Sequence, residues 1–474
     1  MSLIDRCAIM DQKDSATIRV FSLNCWGVRY FSKRCTQRFT MIADMLLKEE
    51  HNIILLQEVW SEKDYLFLRK KLASSHSHCH YFKSGVIGSG LAIFSKYRIQ
   101  DTLLYRYSLN GYPYMAHHGD WFGGKAVGLA ILNIGTLTAN VYVTHLHAEY
   151  SRERDTYLPH RVVQAWELQQ FIRHTSAGAD MVVLGGDLNM HPQDLGTRLL
   201  MSYTGLRDAY AEAEQFDGCD NGLTLILDNP FVSKKMVMPF ERGIRIDYIL
   251  FKVAQTFVLF QITISSQTLV LYFQGSCQAD IHCAAMCTTK GSVSGHPLPY
   301  SDHEALTAEL KLDAHAVPQA GGDFQSKSRH CSGDDVAKLV DILTEARTEV
   351  KVGIHCAERM RRTATRMVAM GLALLLLELA IAAVPWLALG AEQAFPHTSF
   401  YLLAALCFAI LLGTSLLYVF YTMELKSLQG TEDQMRLAVG GLQEKLREFP
   451  VAQPGGTQKK PLEELEPNVF CPED

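Results

Sequence analysis

Two apolar runs near the C-terminus limit what this chain can fold into more than any other feature. Residues 367–389 include GLALLLLELAIAAVPWLAL, and residues 400–423 include YLLAALCFAILLGTSLLYVFYTM. Each supplies the roughly 20 apolar residues that a helix needs to cross a hydrocarbon core. Two runs with so few charges are rare in water-soluble cores, so a buried soluble hairpin is the weaker reading. Glu378 and Pro385 interrupt the first run. A carboxylate at that depth is costly and is expected to face a partner helix. Arg359, Arg361, Arg362 and Arg366 precede the first run, Lys426 follows the second, and the turn at 390–399 has no lysine or arginine. The excess of basic residues on the cytoplasmic side of membrane proteins then puts both termini in the cytosol and the turn across the membrane.

At 474 residues the chain exceeds one ordinary compact domain. Residues 17–312 alternate short β-branched runs with amphipathic stretches, which implies an α/β sandwich of layers. Strands are expected at 18–26, 52–57, 91–95, 140–145, 181–184, 245–251 and 305–312. A helix at 38–50 would put Phe39, Ile42, Met45 and Leu46 on one face, and a helix at 159–174 would open on Pro159. The glycines of GVIGSG at 85–90 lack the lysine of a phosphate loop and read as a hairpin turn. Residues 255–297 read as a poorly packed variable insertion. A polar, Gly- and Ser-bearing linker is expected at 313–335. A juxtamembrane helix would follow at 336–366 and a cytosolic tail at 424–474, disordered from about 455.

A net charge of −5 shows no global basic excess, so nucleic acid is not the expected partner. The twelve cysteines follow no disulfide spacing, and the first residues mix charges without an apolar core. Free thiols in a reducing compartment and no secretory signal are the expectation. Cys277, Cys283 and Cys287 lack a fourth ligand and read as unpaired cysteines rather than a zinc site.

Short polar groups stand at the ends of the expected strands, where open sheets collect their functional residues. They are Asn24 in FSLNCWG, Glu58 in IILLQEVW, His145 in YVTHLHAEY, Asp187 and Asn189 in VVLGGDLNMHP, Asp247 in RIDYIL, and Asp302 and His303 in YSDHEAL. Glu58 and Asp302 can supply carboxylates to a hard cation such as magnesium. Gly185-Gly186 permits a tight turn before Asp187, and Asn189 projects toward the same side. His303 offers a general acid or base that Asp247 can orient, and His145 can donate to a phosphate oxygen. Singly, each has a bland reading as surface, core or Asx turn. Together, in this order, they do not.

That order resembles the endonuclease/exonuclease/phosphatase family, whose DNase-I-like fold is a four-layer α/β sandwich. The resemblance covers about 17–312, with 255–297 unmatched. It implies Glu58 as the Mg2+ ligand with Asn24 beside it and Asp302 near the metal. It also implies His145 on the scissile phosphate, Asp187 and Asn189 orienting water and phosphate, and His303 paired with Asp247 as base or acid. NGYPYMAHHGDWFGGKAVG, THLHAEY and HRVVQAWEL, with the two C-terminal spans, resemble the neutral sphingomyelinase branch. Asp120 and Lys125 match a pair, five apart, associated there with assembling the active state. Their bland reading is a surface ion pair.

The resemblance implies phospholipase-C-type hydrolysis of sphingomyelin in membranes, releasing ceramide and phosphocholine, with the endoplasmic reticulum as location. Choline lysophospholipids and activating anionic lipids remain open as partners. A nuclease would want a basic groove and has no use for two spans; an inositol-phosphate phosphatase would want cations around its phosphates. A catalytically dead scaffold is disfavoured because every expected polar position is occupied.

Overall fold

The computed structural model describes residues 16–29, 32–233, 242–253, 258–264, 267–273, 279–291, 298–314, 333–388 and 397–448. The chain divides into two compact units, Met1–Ile342 and Leu343–Asp474. Up to residue 314 the order is β1 (Ala16–Asn24), α1 (Cys35–Lys48), β2 (Ile53–Gln57), α2 (Glu62–Leu72), β3 (His78–Phe82), β4 (Leu91–Ser95), β5 (Arg98–Arg106), α3 (Asp120–Gly123), β6 (Ala126–Ile134), β7 (Leu137–His145), α4 (Leu158–Thr175), β8 (Met181–Asp187), α5 (Leu195–Thr204), β9 (Arg207–Asp208), α6 (Ala209–Glu212), β10 (Gln215–Asp217), β11 (Leu225–Ile226), β12 (Gly243–Ile244), β13 (Asp247–Val253), β14 (Val258–Ile264), β15 (Gln267–Phe273), β16 (Ala279–Thr288) and β17 (Leu306–Ala314).

One sheet has seven strands in the order β10-β16-β17-β1-β2-β4-β3, and another has six in the order β5-β6-β7-β8-β13-β9. Side chains alternate between the faces of a strand, so each strand can feed two cores. Ile18 and Val20, Ile53 and Leu55, Leu91 and Ile93 meet Val141 and Val143, Met181 and Val183, Ile249 and Phe251 between the sheets. Their neighbours Phe21, Leu23, Ile54, Leu56, Ala92 and Phe94 pack on the outer side with Phe39, Ile42 and Leu46 of α1. On the far side Tyr142, Val182, Leu184 and Leu250 pack with Ala165, Leu168 and Ile172 of α4. Three cores separate four layers, which is the expected sandwich. Truncating a fully buried centre such as Leu55 to alanine costs about 2–5 kcal/mol.

The sheets converge at one end because β8 finishes in glycines. A Cβ on Gly185 would come within 2.4 Å of Leu55 Cδ1 in the facing sheet. Close approach there brings the ends of β1 and β2 over the end of β8.

The reading of 255–297 as a poorly packed insertion needs correction for its second half. β16 pairs with β17 along its length, and Ile281, Cys283 and Met286 enter the core between the sheets. The alanines and Asp280 of β16 carry a weak strand signal, and a register shift at Cys283/Ala285 breaks the alternation. β14 and β15 form a separate antiparallel hairpin. Cys277 and most of the expected linker, residues 315–332, lie outside the described residues.

Beyond the linker, the expected juxtamembrane helix and first span form one helix, α7 (Gly333–Ala388). The second run lies in α8 (His397–Glu448), which continues well into the expected tail. The turn residues 390–396 and the tail from 449 lie outside the described residues. Both helices are long and apolar enough to cross a membrane. Arg347 pairs with Glu432 at 2.6 Å, and Cys407 Sγ donates to Glu378 Oε1 at 3.3 Å, so the helices run antiparallel. Glu378 is buried and faces α8, the arrangement expected from the sequence.

Candidate active site

Register brings the polar groups together. In the parallel pair β7/β8, His145 stands opposite Asp187. In the antiparallel pair β8/β13, Asp187 stands opposite Asp247. Parallel strands contribute their ends and antiparallel strands their beginnings, so all three share one edge. In the other sheet, Asn24 at the end of β1 pairs with Gln57, one residue before Glu58, and Asp302 and His303 precede β17.

Asn24 joins the two sheets: its Nδ2 donates to Glu58 Oε1 at 3.2 Å and to Asp187 Oδ2 at 3.0 Å. Glu58 has φ of 56°, a left-handed conformation that turns its carboxylate off the end of β2. His303 Nδ1 lies 2.8 Å from Asp247 Oδ2, so the Nδ1–H donates to Asp247 and Nε2 is left 3.9 Å from Asp187. Asp187 Oδ1 accepts from the Asn189 backbone N–H at 2.9 Å, while Asn189 Nδ2 donates to the Leu146 carbonyl at 2.9 Å. Asn189 also has a positive φ, of 50°. Every catalytic or metal residue expected from the sequence is therefore at this edge, and most are buried.

Asp120 and Lys125 are not on the surface. They pair at 3.1 Å, almost fully buried, and Lys125 Nζ lies 2.7 Å from His145 Nε2. An ammonium has only donors, so Nε2 of His145 is the acceptor. Lys125 therefore stands beside His145 as a further cationic donor at this edge. Tyr150, which sequence reasoning passed over, donates to Asp120 Oδ2 at 2.5 Å, with the His118 carbonyl oxygen 2.9 Å from the same hydroxyl. Arg38 is a second missed residue. Its guanidinium donates to the carbonyls of Cys25, Trp26 and Tyr300 and so fixes the loops that carry Glu58's neighbours and Asp302. Arg38 lies in none of the quoted motifs, whereas Tyr150 is the last residue of THLHAEY.

Burial and neighbouring charges set the electrostatics of this pocket. Burial opposes ionisation of Asp187, but the His145 imidazole 3.4 Å away, with the charges of His303 and Lys125, holds its carboxyl below the usual range. Burial also opposes charging of His303, yet Asp247, with Asp187 and Asp302 behind it, keeps the imidazole's affinity for a proton well above normal. Burial pushes Asp302 up to about 6. Asp247 Oδ1 is buried without a hydrogen-bond partner among the described residues. One atom each from Asp187, Asp247 and His303 lie within 4.8 Å of one another. Since His303 Nδ1 is committed to Asp247, the free donors here are carboxylate oxygens and Nε2 of His303. A buried donor set that includes an orphaned carboxylate oxygen fits a divalent cation.

A two-sheet sandwich carrying paired carboxylates and a His–Asp couple at one edge defines a phosphoester hydrolase of the DNase-I-like class. Comparison with known proteins agrees. Residues 21–303 match the Endonuclease/Exonuclease/phosphatase family. The chain is 45% identical to the mouse protein "Sphingomyelin phosphodiesterase 2" over 369 residues, covering 78% of this chain and 81% of that one. The human protein of the same name is 41% identical over 440 residues, covering 93% and 95%. The rat protein is 42% identical over 419 residues, covering 88% and 90%. The chain belongs to the endonuclease/exonuclease/phosphatase family and, within it, to the neutral sphingomyelinases.

Proposed function

We propose that this chain hydrolyses sphingomyelin to ceramide and phosphocholine, with Mg2+ as cofactor, at the cytosolic face of the membrane that holds it. The observation that carries the proposal is the bridge from Glu58 through Asn24 to Asp187, which joins a metal-ligand candidate to the His–Asp couple. Glu58 and Asp302 would hold the cation. When bound, it neutralises phosphate charge and the charge that develops on the departing oxygen.

The chain's own residues do the rest. His303, held by Asp247 with Nε2 free, takes the proton of a water that attacks phosphorus in line. The bond from phosphorus to the ceramide oxygen breaks, and that oxygen is protonated from solvent. Lys125 and His145 face the phosphate oxygens, while Asp187 and the Asn189 turn orient water and phosphate. Asp120 holds Lys125 in place. Most of this work is positioning and electrostatics, as phosphoryl chemistry requires.

The spans serve the substrate's location. A lipid cannot leave the bilayer, so tethering raises the effective concentration of enzyme at its surface. The basic flanks of the spans support cytosolic termini, and an endoplasmic reticulum location follows from the resemblance alone. The linker at 313–335 would give the catalytic unit reach. Headgroup release from sphingomyelin, lysophosphatidylcholine and an inositol phosphate, compared in mixed micelles, tests the substrate. Preference for sphingomyelin supports the reading, and preference for either of the others overturns it.

A further inference from the structure

The β3–β4 turn carries the two most exposed large apolar side chains of the catalytic unit among the described residues. Val86 is 73% exposed and Ile87 51%. A single exposed apolar residue needs no explanation, but an adjacent pair at the tip of a fixed turn does. Leaving each in water forgoes about 1.5–3 kcal/mol of burial.

The turn is fixed on both sides. The Val86 and Ile87 N–H groups both donate to the Phe122 carbonyl, at 2.8 and 3.1 Å. A Cβ on Gly85 would come within 2.4 Å of the Gly123 carbonyl oxygen, so the turn and α3 meet backbone to backbone. At the other end Val59 N–H donates to the Gly90 carbonyl at 2.9 Å, and a Cβ on Gly90 would lie 3.0 Å from Glu58 Cα. Trp60 packs its ring on Gly123 and donates to Glu58 Oε2 at 3.4 Å. The apolar tip is thus mounted between Glu58 and the helix that begins with Asp120.

From this mounting we infer that Val86 and Ile87 form a lipid-contact tip that enters the bilayer surface and sets the mouth of the active site against it. The occupant is a membrane surface because the same chain carries two spans, so a bilayer is the apolar phase always within its reach. Apolar residues at an interface bind in proportion to the area they bury, and a rigid backbone keeps that burial from being offset by ordering. The inference rests in part on the proposed lipid substrate, so two measurements keep them separate.

The first uses the full chain with Val86→Trp in phosphatidylcholine vesicles free of sphingomyelin. Emission added by the new tryptophan should be quenched when brominated phosphatidylcholine replaces the ordinary lipid. Unquenched added emission overturns the inference, whatever the enzyme cuts. The second is the double variant Val86→Ser/Ile87→Ser, assayed on vesicle sphingomyelin and on a short-chain analogue presented as monomer. Vesicle turnover should fall about tenfold or more, with the monomer rate changed less than about twofold. Equal loss on both substrates would make the turn part of substrate binding or of the fold, and no loss on vesicles would leave the tip without a lipid role; either result contradicts the inference.

Discussion

The catalytic sandwich and the C-terminal helices use the same apolar residue types in opposite ways. In the sandwich Leu55, Ile93 and Val183 are fully buried, whereas in the helices Leu402 is 68% exposed and Leu376 58%. Polar groups invert in the same sense. The sandwich gathers its carboxylates, imidazoles and an ammonium at one edge, whereas the first long helix turns its single mid-span carboxylate, Glu378, toward the second helix. One rule, that apolar surface leaves water, would produce both arrangements if the second region's solvent is lipid, as proposed for these candidate spans. Chemistry and anchoring are therefore separable, and substitutions should sort accordingly.

The largest effects should come from the edge. His303→Ala should lower turnover by about 10²–10⁴-fold, and Glu58→Gln should fall as steeply, with unfolding midpoint and membrane pelleting unchanged. Wild-type turnover in either variant would move the base or the metal ligand elsewhere. Asn24→Ala removes the link between Glu58 and Asp187 and should cost roughly 10–100-fold, read as a higher metal concentration for half-activation. Tyr150→Phe loses one bond to Asp120 but remains partly open to water, so turnover should drop at most about tenfold. Deleting the chain from Met367 should shift the protein from the membrane pellet to the supernatant and leave its rate on detergent-dispersed sphingomyelin intact. Glu378→Gln should be smallest, weakening helix pairing by about 0.6 kcal/mol without touching turnover. Loss of activity in that variant would mean the two regions are not separable.

The sequence carried the local half of this architecture. Ile53 to Leu56 alternate between two cores, so a run of apolar residues could be read as a central strand. The strand-end residues could be read as a site because register returns each of them to one edge. What escaped was long-range. Lys125 reaches His145 only because β6 and β7 pair antiparallel, which places residues 20 apart in sequence side by side. Gly85 meets Gly123 through a backbone approach that no periodicity encodes. β16 was missed because its alanines and its register shift blur the period of two.

The most direct test is phosphocholine release from sphingomyelin in mixed micelles, with magnesium and then with excess chelator, for the full chain beside His303→Ala. The account predicts release that requires magnesium and is lost in the variant. Release that survives the chelator or the substitution, or no release from the intact chain, would contradict it.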